Sequence, residues 1–205
     1  MANHLMANIQ NKTHLQLAVA QRNICDRLHS TSNIELIEKM RTKLKILDCV
    51  MSLECKHYQG PLLPYEHSNE AKTWVDPRIR NALMQINVAL NSIITSGNQL
   101  STSVTLPQLP LVNLFTVDAL IHPKDPTGRI KLDKNSVAIL IHPPEHYCFQ
   151  SSELIGSQVM RKRILKKLGL KVVSLDYSRL IVLGIYPKKL FAYVNSNMKH
   201  PDSTS

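Results

Sequence analysis

Six basic residues and no acidic residue stand between Leu154 and Leu175, in the stretch LIGSQVMRKRILKKLGLKVVSL. They are Arg161, Lys162, Arg163, Lys166, Lys167 and Lys171. The formal net charge of the 205-residue chain is +10, so this short segment concentrates the excess. Such a density attracts polyanions, with nucleic acid first among them. On a helical projection, Met160, Ile164, Leu165 and Leu168 gather on one side, and Lys162, Arg163, Lys166 and Lys167 occupy the other. Like charges sit three and four apart, Arg163 with Lys166 and Lys167, and Lys162 with Lys166. Each such pair costs an isolated helix roughly a few tenths of a kcal/mol. A bound polyanion would offset that repulsion, whereas a solvated face would simply keep the domain soluble. Both readings stand at this level. Arg161 projects toward the edge of the packed side, which suits a partner within the fold or a ligand at its rim.

A second cluster has the residue types of a soft-metal site. His142, His146 and Cys148 lie close in sequence, and His122 ends the preceding apolar run. Zinc takes such ligands, but the spacing matches no common finger and two prolines intervene. Turn histidines are the simpler reading, so neither a metal nor a cofactor is expected. His146 and Tyr147 can stack on a base or merely pack their turn.

Cysteine and hydropathy patterns bound the setting. Cys25, Cys49, Cys55 and Cys148 form no CxxC pair, which points to reduced thiols in an intracellular compartment. No apolar run reaches the eighteen or so residues of a membrane span. The first 25 residues lack Asp and Glu, as a mitochondrial presequence would, but carry only Lys12 and Arg22 and little Ser. No clear presequence is read there. The alternative is the end of a helical region whose beginning is missing.

The elements that must position these residues follow from periodicity and punctuation. A helix is read over 13–28. Ser32 and Glu35 have capping-box spacing, and Ile37, Met40, Leu44, Leu47 and Met51 then line one face of a helix to about Cys55. HYQGPLLPYEHSNEAK breaks the pattern. Pro77 opens a helix over 78–95 built on Ile79, Leu83, Ile86, Leu90 and Ile93. TSGNQLSTSVTLPQLP reads as a linker. Beyond it, FTVDALI, SVAILI and KVVSL read as strands, with a long-loop hairpin joining the first two. A helix over 152–168 stops at Gly169, and YPKKLFAYV forms a last short helix. The tail NSNMKHPDSTS is expected to be disordered.

Two stretches resemble a known family. LKILDCVMSLECKHYQGPLLP is similar to the second helical region of the FAST kinase domain-containing proteins, where a Leu-Glu pair precedes a Tyr-x-Gly-Pro-x-Leu-Pro turn. SVAILIHPPEHYCFQSSELIGSQVMRKRILKKLGLKVVSLDY resembles the RAP domain that closes those proteins. Its pattern falls on His146, Tyr147, Gly156, Arg161, Arg163, Leu165, Gly169, Val172 and Val173. The Tyr147-Cys148-Phe149 turn and Met160 carry the likeness to one subtype. The resemblance implies an α+β chain: a helical region at 1–95, a linker at 96–112, a small α/β RAP domain at 113–194 akin to the restriction-endonuclease-like fold, and a tail at 195–205. Since relatives carry a long helical-repeat region and a targeting signal upstream, the chain is expected to be a partial product.

Functionally, the resemblance implies an RNA-binding factor in mitochondrial RNA processing and mRNA stability, located in the matrix and RNA granules. Its partners would be mitochondrial transcripts and other granule proteins. Kinase chemistry is not expected: six glycines are scattered, and no HRD or DFG occurs. A restriction-type nuclease needs an Asp on one strand and an acidic residue on the next to hold a metal. Asp118 is a weak candidate for the first, but Leu140 and His142 occupy the partner positions, and Mg²⁺ prefers oxygen ligands. Asp118 is expected instead to hold a turn or the basic helix through Arg161. A noncatalytic binder is therefore the leading reading, with Arg161, Lys162, Arg163, Lys166, Lys167 and Lys171 on phosphates and His146 and Tyr147 on a base. The alternatives are a metal-dependent endoribonuclease on the same surface, or a basic module that docks an acidic protein.

Overall fold

The computed structural model describes Asn23 and residues 34–55, 75–106, 108–109 and 113–199. The helix expected at 13–28, the Ser32–Glu35 capping box and the turn after Cys55 lie outside the described residues. The chain divides into two compact units, Met1–Asn69 and Glu70–Ser205.

The first unit contains helix α1, Ile34–Glu54. Its apolar stripe buries Leu44 and Met51, spaced by seven residues, while Met40 and Leu47 are half-buried. Cys49 is also buried, and burial, with Glu54 adding to it, pushes its thiol pKa up to about 11. That thiol stays protonated and unreactive at neutral pH.

The second unit is a mixed four-stranded sheet covered on both faces. Its elements are α2 Pro77–Ile93, β1 Asn98–Val104, β2 Val117–Pro123, β3 Val137–His142, α3 Gly156–Lys167, β4 Lys171–Asp176, α4 Tyr177–Gly184 and α5 Pro187–Lys199. The strand order is β1-β2-β3-β4, antiparallel except for the parallel pair β3 and β4. The parallel pair is joined by α3, the crossover that such strands require. Chain class and order therefore agree with the α+β expectation.

Alternation along the strands sorts the side chains into two layers. Ala119, Ile121, Ile139, Ile141, Val173 and Leu175 form one core with Ile86 and Leu90 of α2, Leu180 of α4, and Leu190 and Val194 of α5. The other face carries Asp118, Leu120, Leu140, His142 and Ser174 and receives α3, as the Arg161–Asp118 contact shows. Asp76 caps α2 by accepting from the Arg78 N–H at 2.8 Å, with Pro77 in the first turn.

Three expectations are corrected. The segment read as a linker contains β1, paired over Asn98–Val104 with β2. Its side chains are polar and its only apolar residues are Leu100 and Val104, so alternation is faint; backbone pairing with a buried strand makes it a strand. Helix α2 shares the core of the sheet, so the boundary expected after residue 95 cuts through one packed unit. The tail expected to be disordered from residue 195 continues α5 to Lys199, with Met198 packed on the core and Asn197 Nδ2 donating to the Tyr193 carbonyl at 2.8 Å. Helix α4 lies beyond the expected elements and carries Leu180 into the core.

Candidate functional site

Helix α3 holds Arg161, Lys162, Arg163, Lys166 and Lys167 and no acidic residue. Gly169, at φ +86°, turns the chain out of the helix in a left-handed conformation that glycine adopts without penalty. Gln158, Arg161, Ile164 and Leu165 face the sheet and are buried. Lys162 is half-buried, and Arg163, Lys166 and Lys167 are exposed. The predicted division into an apolar and a basic face therefore holds, with one charged residue on the inner side.

That residue is Arg161. Its Nη2 lies 3.1 Å from Asp118 Oδ1 and also donates to the Thr116 carbonyl, while Nη1 donates to Gln158 Oε1 at 3.3 Å. Asp118 Oδ2 accepts the Ile141 backbone N–H at 2.7 Å. The pair thus ties the basic helix to β2 and β3. This corrects the assignment of Arg161 to the phosphate contacts: a buried guanidinium held on three oxygens does not reach a ligand. It equally gives Asp118 a structural occupation, since each carboxylate oxygen already has a partner, and Leu140 beside it supplies no ligand.

The histidines are also engaged. His122 Nδ1 contacts the Pro123 carbonyl at 3.0 Å, so it donates, leaving Nε2 to accept from the Ser101 hydroxyl at 2.9 Å. His122 lies at the opposite end of β3 from His142, because its neighbour Ile121 pairs with Val137. His142 Nε2 sits 3.2 Å from Ser174 Oγ, and its Nδ1 sits 3.3 Å from His146 Nδ1. Burial, followed by the charges of Arg161, His146 and Lys162, lowers the His142 pKa to about 3. His146 is lowered too, first by burial and then by Arg161. Among the described residues no group of three or more His, Cys, Asp or Glu is placed to hold a metal ion, and no helix is long and apolar enough to cross a membrane.

Beside α3 and the edge strand β4 lies a groove of about 950 Å³. Lys162, Arg163 and Lys166 form one wall, Arg179 and Tyr193 the other, and His142, Ser174 and Asp176 lie between. It opens where the parallel strands β3 and β4 end, at the registered pair His142 and Asp176. Crevices at the carboxyl ends of parallel strands are where open α/β sheets place ligands. Asp176 fixes the far wall: its carboxylate caps α4 by accepting from the Arg179 N–H at 3.0 Å, and its own N–H donates to the Tyr193 hydroxyl at 3.1 Å. Four cations and the carboxylates of Glu153 and Asp176 line the groove, a net excess of positive charge.

The turn after β3 closes one end. Tyr147 and Leu154 form an isolated bridge, backed by Cys148 N–H to the Glu153 carbonyl at 2.7 Å and Ile155 N–H to the His146 carbonyl at 2.9 Å. Tyr147 lines the groove, and burial, with Asp176 and Tyr193 adding to it, pushes its phenol up to about 12. The tip holds Phe149 outward at 91% exposure. Arg78, with its charge reinforced by Asp76 and Glu145, fastens the turn at Pro144–His146 to the start of α2.

Of the residues singled out from sequence, the groove brings together Lys162, Arg163, Lys166 and Tyr147. His146 is half-buried beneath, Lys167 is exposed in the last turn of α3, and Lys171 begins β4 at the end away from Asp176. Arg179 and Tyr193 were missed as site residues, and Phe149 was read only as a subtype feature. The readable signal was the basic residue just past the third strand, at the end of a parallel pair.

Residues 139–190, from within β3 to the first turn of α5, match the RAP domain. Over 167 residues the chain is 25% identical to FAST kinase domain-containing protein 3, mitochondrial, of Rattus norvegicus. That alignment takes in 68% of this chain and 23% of the relative, so the chain spans about a quarter of the relative it matches. No solved structure matches. The chain thus matches a RAP domain over part of its length and is similar to a FAST kinase domain-containing protein.

Proposed function

We propose that the chain is an RNA-binding factor in mitochondrial RNA processing and mRNA stability, gripping RNA with the outer face of α3. The observation that carries this is the run of Lys162, Arg163, Lys166 and Lys167 on a helix without an acidic residue, beside a groove that Arg179 faces from the other side. Cations of both walls neutralise phosphates and release counterions, an affinity that carries no sequence information by itself. The mitochondrial setting rests on the name of the rat relative; the matrix, RNA granules and granule partners extend that reading. The Tyr147-Cys148-Phe149 turn and Met160 favour FAST kinase domain-containing protein 5 as the subtype. The binding unit, expected at 113–194, takes in α2 and β1 as well, because they complete its core.

The test is charge reversal at Lys162, Arg163 and Lys166 together, in the whole chain. Binding to a single-stranded RNA at low salt should be lost while the unfolding midpoint is kept. Wild-type affinity in the triple variant would overturn the proposal.

A further inference from the structure

A second hollow, of about 640 Å³, adjoins the basic groove and shares Tyr147, Ser152 and Asp176 with it. The two differ in charge. The groove is lined by four cations, whereas the hollow is lined by Glu145, Asp176, Gln150, Ser151 and Phe149 and contains no Lys or Arg. A phosphate is drawn to the first, whereas no cation lines the second, its Glu145 being paired with Arg78 and its Asp176 capping α4. A nucleobase suits the second, because amide, hydroxyl and carboxylate groups match base edges and an aromatic ring offers a stacking face.

We infer that groove and hollow together form a site for single-stranded RNA, with the backbone between Lys162, Arg163 and Arg179 and an unstacked base on Phe149. This rests on the RNA-binding reading above and narrows it. Duplex RNA keeps its bases stacked on one another and offers mainly its backbone and shallow minor groove, so it has no base to give to an aromatic at the rim. The volume of about 950 Å³ lies near the top of the range of roughly 300–1,000 Å³ typical of small-ligand pockets, so the groove has room for more than one nucleotide. The bridge between Tyr147 and Leu154 closes the loop that carries Phe149, whose ring is exposed to solvent. Arg179 stands in the first turn of a helix whose cap is Asp176, so its backbone is fixed relative to β4.

The experiment uses the full 205-residue chain and a fluorescein-labelled, mixed-sequence single-stranded RNA, free or annealed to its complement. Anisotropy is read over a series of salt concentrations. Phe149→Ala should weaken single-strand binding by roughly 5- to 150-fold, the equivalent of one lost base stack. It should leave both the salt slope and the duplex affinity unchanged. Arg179→Glu should weaken binding and lower the salt slope. Both side chains are exposed, and an unchanged unfolding midpoint verifies that the variants fold. Wild-type single-strand affinity in Phe149→Ala or in Arg179→Glu, or equal affinity of the wild type for single strand and duplex, overturns the inference. If the Lys162, Arg163 and Lys166 reversal still abolishes binding in that event, the RNA-binding reading survives alone. Absence of RNA binding by the wild type, with capture of an acidic protein on the same face, overturns both.

Discussion

Arg161 Nη2 lies 3.1 Å from Asp118 Oδ1, with the two side chains only 4% and 8% exposed. The pair is the joint between the basic helix and the sheet, and it divides the cations of α3 into one that holds the fold and four that face outward. Three further bonds complete it, from Arg161 to the Thr116 carbonyl and to Gln158 Oε1, and from the Ile141 N–H to Asp118 Oδ2. The carboxylate that a nuclease reading would spend on a metal is spent on this joint.

Removing one partner leaves the other charge buried and uncompensated, so Asp118→Ala should cost about 3–5 kcal/mol. Replacing both, as Asp118→Leu with Arg161→Met, should cost much less, because no lone charge remains. Urea unfolding of the two variants and the wild type measures the difference. A loss below about 1 kcal/mol for Asp118→Ala would show that the joint is not the support described.

Salt dependence separates the outward cations. Each lysine that neutralises a phosphate of single-stranded RNA should contribute about 0.7 to the slope of log affinity against log salt. Lys166→Ala should therefore lower the slope by about that amount. Lys171→Ala, at the far end of β4 from the groove mouth, should leave it unchanged. Equal slopes for the two variants would mean that binding tracks net charge rather than this surface.

His142 supplies a pH signature. Its folded pKa, lowered to about 3 mainly by burial, lies below the ordinary value of about 6.5. Between those values the unfolded chain binds a proton that the folded chain refuses, so stability rises with pH through this window and falls as pH drops. The contribution is complete above about pH 6.5, and its steepest slope is about 1.4 kcal/mol per pH unit. His142→Gln should flatten the stability profile between pH 4 and 6.5 in urea titrations. His146, lowered first by burial and then by Arg161, adds a dependence of the same sign. An unaltered profile would place the titration elsewhere.

Gly169 isolates a backbone effect. A Cβ there would meet no atom within 4 Å, so space does not oppose a side chain; its φ of +86° does. Gly169→Ala should lower stability by about 1–2 kcal/mol, and Gly169→Asn by less. Thermal unfolding reads both. If alanine is neutral, the turn between α3 and β4 can relax to another conformation.

Elements whose information is local are legible in the chain without its fold. Apolar spacing set α1 and α2, Pro77 opened α2, apolar runs marked β2, β3 and β4, and Gly169 ended α3. The same residues fixed which lysines face outward, since helical geometry separates Lys162, Lys166 and Lys167 from Ile164 and Leu165. What tertiary structure decided depends on partners far along the chain. β1 is a strand because β2 supplies its hydrogen bonds, not because NQLSTSV prefers one. Helix α2 belongs with the sheet because its stripe fits Ile121, Ile139 and Val173. Arg161 became a core residue when Asp118, 43 positions earlier, met it on the face of the sheet that α3 covers. The basic run is legible in the sequence; the opposite wall, with Arg179 and Tyr193, is not. A single helix can declare its charge through its own spacing, but a groove exists only between elements, and folding alone brings its two sides together.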